Sequence, residues 1–423
     1  MKHSILTALD IGSSFIRVII AKEVGGNRLE ILGIGEAESD GIERGIVKDI
    51  QALSACVAKA IGDAEKAANA PAQNIHANIT GEHVRTHFGD GRISIPTETP
   101  NEPGEITLDH VEQVINDAKN SVKIQKGFER FRILHGIPHN FVIDNQDDIH
   151  NPVNMNGFHL IAHVYAILAE LTPLRNLSKC IELAGYTIEP ENFVLNHIAI
   201  AESVLSEDER RLGALVLDIG GGTCDLAIYS RGSLEKILVV PMAGKNITED
   251  LAIGLKTTLD NAEYLKLEFG NALASSVDPN IELDVEGISG RAGSRKTQYT
   301  LSHVIQHRVE EMLSLCYNKA KDFYTPELVT AGIVLCGGTA NLTNIDAVLS
   351  DAFNLHVKIA TPDLSRLNGM ISRLEDPAYA TAVGILYYAA GQEVEPSSKS
   401  FNLSNLKSSK LVDKFKKILK DFT

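Results

Sequence analysis

Two stretches of the chain repeat one hydrophobic pattern. "LDIGSSFIRVII" (Leu9–Ile20) and "LDIGGGTCDLAI" (Leu217–Ile228) each read as an apolar strand ending on an aspartate, a glycine-bearing turn, and a second apolar strand in the same register. Each leads into a further strand-like run, "RLEILGIG" in the first half and "SLEKILVV" in the second. Asp10 and Asp218 lie 208 residues apart, close to half of the 423-residue chain. Agreement in strand, turn and next strand at this period predicts a duplicated α/β unit forming two facing domains.

The pattern changes from about Val84 to His163, which reads as a small α+β module. "TLDHVEQVINDAKN" places Leu108, Val111, Val114, Ile115 and Ala118 at helical spacing, while "FRILHGIP", "FVID" and "HLIAHVYAIL" read as strands and Asn151-Pro152 as a turn. Two later runs, Leu195–Leu205 and Asp376–Gly391, read as helices. Their small residues Ala199, Ala201, Ala382 and Gly384 suit either a close crossing beneath a cleft or ordinary helix packing. After Gly391 the chain turns polar and serine-rich, a flexible linker over 392–409. The final stretch, 410–423, sets Leu411, Val412, Phe415, Ile418, Leu419 and Phe422 on one stripe, with lysines including Lys414 and Lys417 opposite. That is the pattern of a helix lying in a membrane interface; docking on its own domain or on a partner is the alternative.

Composition narrows the classes. Apolar residues make up 44% and charged residues 22%, a globular profile with room for two or three domains. A net charge of -15 argues against a general affinity for nucleic acid. Against that background the tail stands out, with six lysines and two aspartates between Lys407 and Asp421. Tryptophan is absent, so an aromatic platform for sugars or bases is not favoured. Five scattered cysteines without CxxC spacing predict neither a disulfide framework nor a zinc site. "MKHSILTALDIG" has no long apolar core, and no run of about 20 apolar residues occurs, so a cytosolic protein is expected unless the tail lays it on a membrane.

The repeated turns suit phosphate. Glycines after a strand let the backbone approach a ligand and aim N–H groups at it. Gly12, Ser13 and Ser14 form the first candidate loop; Gly220, Gly221, Gly222 and Thr223 form the second, with hydroxyl donors in both. Asp10 and Asp218 sit at strand ends, where carboxylates can hold a hydrated Mg²⁺ ion between them. Neither a Walker A loop nor a GxGxxG fingerprint is present. A third glycine site, "AGIVLCGGTANL" (Ala331–Leu342), offers Gly337, Gly338 and Thr339 as a surface for a flat base. "DNAEYLKLEFG" (Asp260–Gly270) sets Glu263 and Lys266 on one helix face, as a bracket for a ribose or as a solvated ion pair.

In this order the pieces resemble the actin-like ATPase superfamily, a duplicated ribonuclease H-like α/β fold. The resemblance implies ATP and Mg²⁺ in the cleft, "LDIGSS" and "LDIGGGT" as phosphate loops, and an adenosine set of Gly244, Glu263, Lys266, Gly337, Gly338, Thr339 and Asn341. The inserted module resembles the 1C subdomain of the FtsA family of bacterial division proteins. "IPHNFVID", "IHNPVNMNGFHL" and "VVPMAGKNITEDLA" match that family, and the likeness runs through nearly the whole chain. It implies subdomain 1A at 1–83 plus 164–195, 1C at 84–163, 2A at 196–228 plus 302–391, and 2B at 229–301. It further implies a protein that links the tubulin-like FtsZ to the cytoplasmic face of the inner membrane at the septum and polymerises into protofilaments. Other divisome partners would meet 1C, and the FtsZ C-terminal tail would meet 2B. There the basic loop "GRAGSRKTQ" carries Arg291, Arg295 and Lys296 for an acidic peptide.

Hydrolysis is expected to be slow, because "FVLNHIAIA" offers Asn196 and His197 and no evident base where heat-shock chaperones carry Glu-Pro. Three other readings stay open: a PilM-like pilus-assembly protein, which the lysine-rich tail opposes, a small-molecule kinase, which would need a substrate pocket and base, and a chaperone, which would need a separate peptide-binding domain for which no residues are left.

Overall fold

The computed structural model describes residues 4–392 apart from 26, 27, 98, 100 and 326. The expected linker beyond Gln392, and the amphipathic segment with Leu411, Val412, Lys414, Phe415, Lys417, Ile418, Leu419 and Phe422, lie outside the described residues.

The first half runs β1 (Ile5–Ile11), β2 (Phe15–Gly25), β3 (Arg28–Glu38), α1 (Ile50–Ala68) and β4 (Ile75–Ile79). The inserted module follows: β5 (Val84–Ser94), α2 (Leu108–Lys123), β6 (Phe131–Ile143), β7 (Gln146–Ile149) and β8 (His159–Glu170). Then come α3 (Leu171–Leu183), β9 (Phe193–Leu195) and α4 (Asn196–Val204). The second half contains β10 (Ala214–Ile219), β11 (Cys224–Ser230), β12 (Ser233–Val240), α5 (Gly244–Leu255), α6 (Leu259–Phe269), β13 (Glu282–Val285), β14 (Ser294–Thr297) and α7 (Gln298–Ala320). It ends with β15 (Ile333–Cys336), α8 (Ile345–Phe353), β16 (Val357–Ile359), β17 (Leu367–Gly369) and α9 (Ala380–Gln392).

The two main sheets share one topology. Read from the third strand of each half, the orders are β3-β2-β1-β4-β9 and β12-β11-β10-β15-β16. In both, the first three strands are antiparallel and the last two join in parallel. β17 adds to the first sheet beside β3, so the chain returns from the second half to the first before α9. Their strands are apolar on both faces because both faces are covered. Ile16, Val18 and Ile20 of β2 pack with α1 and α3, whereas Ile19 and Ala21 pack with α9. The second sheet does the same, with Leu215 and Leu217 facing α5 and α7 and Val216 facing α4.

α4 and α9 therefore lie between the sheets, where they cross. A Cβ placed on Gly384 of α9 would stand 1.7 Å from the Ala199 carbonyl oxygen of α4, so only glycine permits this approach.

The insert is a sheet ordered β7-β6-β8-β5. α2 lies on it, close enough that a Cβ on Gly91 would stand 2.1 Å from the Val114 carbonyl oxygen. The runs expected as two strands, "FRILHGIP" and "FVID", form one strand, β6, with a register shift near Pro138. Proline removes one ladder donor, which the strand absorbs as an irregularity rather than a break. β8 passes through His163 and pairs with both neighbours as far as Ala169.

Candidate functional site

Between the two halves lies a cavity of about 330 Å³. The β1–β2 and β10–β11 turns meet there with the same internal geometry. Gly12 N–H donates to the Phe15 carbonyl at 3.1 Å, and at the equivalent place Gly220 N–H donates to the Thr223 carbonyl at 3.0 Å. The turns also face each other closely. A Cβ on Gly221 would stand 2.1 Å from Ser14 Oγ, and one on Gly222 would stand 2.4 Å from Ser13 Oγ.

The third glycine site joins them. Gly337 has φ +89°, and a Cβ there would stand 2.1 Å from Asp218 Oδ1. Thr339 Oγ1 donates to the Gly220 carbonyl at 2.9 Å, and a Cβ on Gly244 would stand 2.5 Å from that hydroxyl. Lys266 Nζ donates to Glu263 Oε2 at 2.7 Å, Thr248 Oγ1 at 2.9 Å and the Gly244 carbonyl at 3.3 Å. All the residues expected for phosphate loops and adenosine contact line this one cavity, Gly338 and Asn341 included. The spacing of Glu263 and Lys266 thus marks a cavity wall, not merely a solvated pair.

The floor is acidic and cross-linked by amides. Asn78 Nδ2 donates to Asp10 Oδ1 at 2.8 Å and to Asn196 Oδ1 at 3.3 Å. Asn196 Nδ2 in turn donates to Asp218 Oδ2 at 3.0 Å and Asp225 Oδ2 at 2.7 Å. Thr80 Oγ1, from the first half, donates to Asp225 Oδ1 at 2.6 Å. Burial chiefly, aided by Asp225 and opposed by Arg17, pushes the Asp10 carboxyl up to about 6. Burial and then the charges of Asp225 and Asp10 hold Asp218 well above the usual carboxylate range. Such carboxyls gain from a neighbouring cation. Among the described residues no three His, Cys, Asp or Glu side chains converge to hold a metal ion. The Asp10 and Asp218 carboxylates are of the kind that suits a hydrated Mg²⁺ held through water.

Sequence reasoning missed Asp225, Asn78, Thr80 and Arg17. One signal was available. Asp225 pairs across the hairpin with Asp218, and Arg17 with Asp10, so each shares a sheet face with the aspartate seven residues before it. Asn78 and Thr80 come from the end of β4 and carry no local signal. His197 does not line the cavity; its Nε2 lies 3.1 Å from the Leu238 carbonyl. The insert touches this region through His135 of β6, whose Nε2 accepts the Leu195 N–H at 3.1 Å and whose Nδ1 lies 3.2 Å from Tyr388 Oη on α9.

Arg291, Arg295 and Lys296 lie away from the cavity, around the β13–β14 hairpin. Arg295 meets Glu282 and Asp284, each at 3.3 Å. The acids sit upstream in sequence, and hairpin pairing brings them opposite.

Residues 215–384 match the family described as "Cell division protein FtsA", and residues 81–168 match "SHS2 domain inserted in FTSA". The chain is 32% identical to the cell division protein FtsA of Escherichia coli (strain K12), over 91% of this chain and 90% of that protein. The FtsA of Neisseria meningitidis is 31% identical over 92% of this chain and 91% of its own length. The chain belongs to the FtsA family. The inserted sheet is the FtsA family's SHS2 domain, carried on a duplicated actin-like fold. The solved PilM–PilN type IV pilus biogenesis complex superposes with a TM-score of 0.62 at 16% identity, covering 92% of this chain and 99% of that one, and shares the fold alone.

Proposed function

We propose that this FtsA-family chain binds ATP with Mg²⁺ between its halves, assembles with its own copies, and holds FtsZ at the cytoplasmic face of the inner membrane at the septum. The observation that carries the reading is the convergence of both phosphate-type turns, the Gly337–Thr339 site and the Glu263–Lys266 pair on one cavity. Phosphates would lie between Gly12–Ser14 and Gly220–Thr223, and the nucleoside against Gly244, Lys266 and Gly338. The ion would neutralise phosphate charge that these buried carboxyls cannot.

A ligand touching both halves favours the arrangement in which they are together. Nucleotide thus acts chiefly as an assembly switch. Asn196 donates to both second-half carboxylates, and an amide accepts no proton from water, so turnover is slow. We adopt the subdomain division given above, with FtsZ's tail on residues 229–301 and other divisome proteins on the insert. Among the described residues no helix is long and apolar enough to cross a membrane. Membrane attachment is assigned to the apolar stripe of 410–423.

Co-pelleting with anionic lipid vesicles, with and without ATP and FtsZ, tests the whole reading. The full chain carries FtsZ into the pellet, and removal of residues 405–423 leaves both in the supernatant. Pelleting that survives the truncation refutes the tail's role. Lipid binding without FtsZ recruitment refutes the tether.

A further inference from the structure

The cavity has two cationic side chains among its described lining residues, Lys266 and Arg17. Lys266 is held on the nucleoside side by Glu263, Thr248 and the Gly244 carbonyl. Arg17 stands beside the first phosphate turn, cross-strand from Asp10, with a side chain only 16% exposed. Its Nε donates to Glu36 Oε2 on β3 at 2.9 Å. Its guanidinium lies over the Phe15 ring at 5.3 Å and the Tyr379 ring at 5.1 Å. The Tyr379 hydroxyl donates to the same Glu36 oxygen at 3.3 Å, and Arg373 approaches the other at 3.5 Å.

Tyr379 ends the turn Pro377–Tyr379, which feeds directly into α9. The turn is also tied to the base-binding side of the cavity. Asn341 Nδ2 donates to Asp376 Oδ1 at 2.9 Å, and Gly337 N–H donates to the Pro377 carbonyl at 3.1 Å. One guanidinium therefore touches the cavity, an ion pair and the entrance of the crossing helix.

We propose that Arg17 is a specificity-determining residue that distinguishes ATP from ADP: the terminal phosphate draws its guanidinium off Glu36, and the Glu36–Tyr379 contact at the start of α9 is remade. A phosphate offers more charge and more acceptor oxygens than the Glu36 carboxylate, in a geometry the planar fork can bridge. The two ring faces keep the guanidinium partly stripped of water, so little hydration is lost when it swings. The inference rests on the nucleotide reading given above.

Calorimetric titration of the full chain with ADP and with a non-hydrolysable ATP analogue tests it. Arg17→Ala weakens the ATP analogue by about 10- to 100-fold, the worth of a charge-assisted hydrogen bond, and leaves ADP within about twofold. Arg17→Lys recovers part of the loss. Glu36→Gln acts with the opposite sign and improves the ATP analogue relative to ADP, because it removes the competitor for the guanidinium. Equal losses for both nucleotides, or an unchanged ratio in Arg17→Lys and Glu36→Gln, make Arg17 a structural ion pair and overturn the proposal. Should Arg17→Ala not fold, those two variants carry the test. Wild-type protein that binds neither nucleotide defeats the nucleotide reading itself. Binding of both with an unchanged ratio in every variant defeats this inference alone.

Discussion

Asp10 is held in a state it would not choose in water. Its carboxyl ionises at about 6, against an ordinary 3.8, chiefly because it is buried. Between about pH 4 and 6 the folded chain retains a proton that the unfolded chain has released, so stability falls as pH rises through that window. At pH 7.5 the folded state bears the whole cost, at most about 3 kcal/mol. Asp10→Asn removes it, and an asparagine oxygen can still accept from Asn78. The variant is expected to melt a few degrees higher than wild type at pH 7.5 without nucleotide, to lose the difference near pH 4, and to bind Mg²⁺–ATP more weakly. A lower melting temperature at pH 7.5 contradicts this account. Asp10 and Asp218 were legible because a repeat singled them out. Asp225 was not, because it sits inside an apolar run and gains meaning only when the hairpin folds back on Asp218.

Elements were easier to read than their contacts. The repeated strand–turn–strand unit and the helices α2, α4, α6 and α9 follow from period and glycine placement, whereas the small residues of α4 and α9 fitted ordinary packing as well as the close crossing that the fold shows. What sequence left unresolved was long-range: the three-residue β17 added to the first sheet, the continuity of β6 past Pro138, and the acids opposite Arg295. Two glycines in helices separate propensity from packing. Gly62, inside α1, has open space where a Cβ would go, so Gly62→Ala should stabilise by about 0.5–1 kcal/mol. Gly384→Ala gains the same propensity but drives a methyl into the Ala199 carbonyl, a backbone atom that cannot rotate away. Its net effect is a loss of about 1–3 kcal/mol as the helices separate. Urea midpoints move in opposite directions for the two variants; a shift of Gly384→Ala toward higher urea shows that the crossing is looser than described.

For the whole molecule, charge is distributed unevenly along the chain. The chain carries -15 overall, whereas residues 407–421 carry six lysines and two aspartates. Fold class and cleft were legible from the chain because the duplication writes the same turn twice; the acids that Arg295 meets were not, because only hairpin pairing brings them opposite it. In the proposed tether, each lysine near an anionic surface contributes about 1 kcal/mol. Ordering the backbone costs about 1–2 kcal/mol per residue, which consumes much of what the apolar stripe supplies. One tail therefore binds modestly, while tails linked through self-association bind far more tightly by effective concentration. Vesicle binding should rise more steeply than linearly with protein concentration and should weaken as salt screens the lysines. The same tail fused to a monomeric carrier should bind weakly and without that steepness. If the carrier binds vesicles as well as the full chain does, assembly adds nothing to attachment, and the tail acts alone.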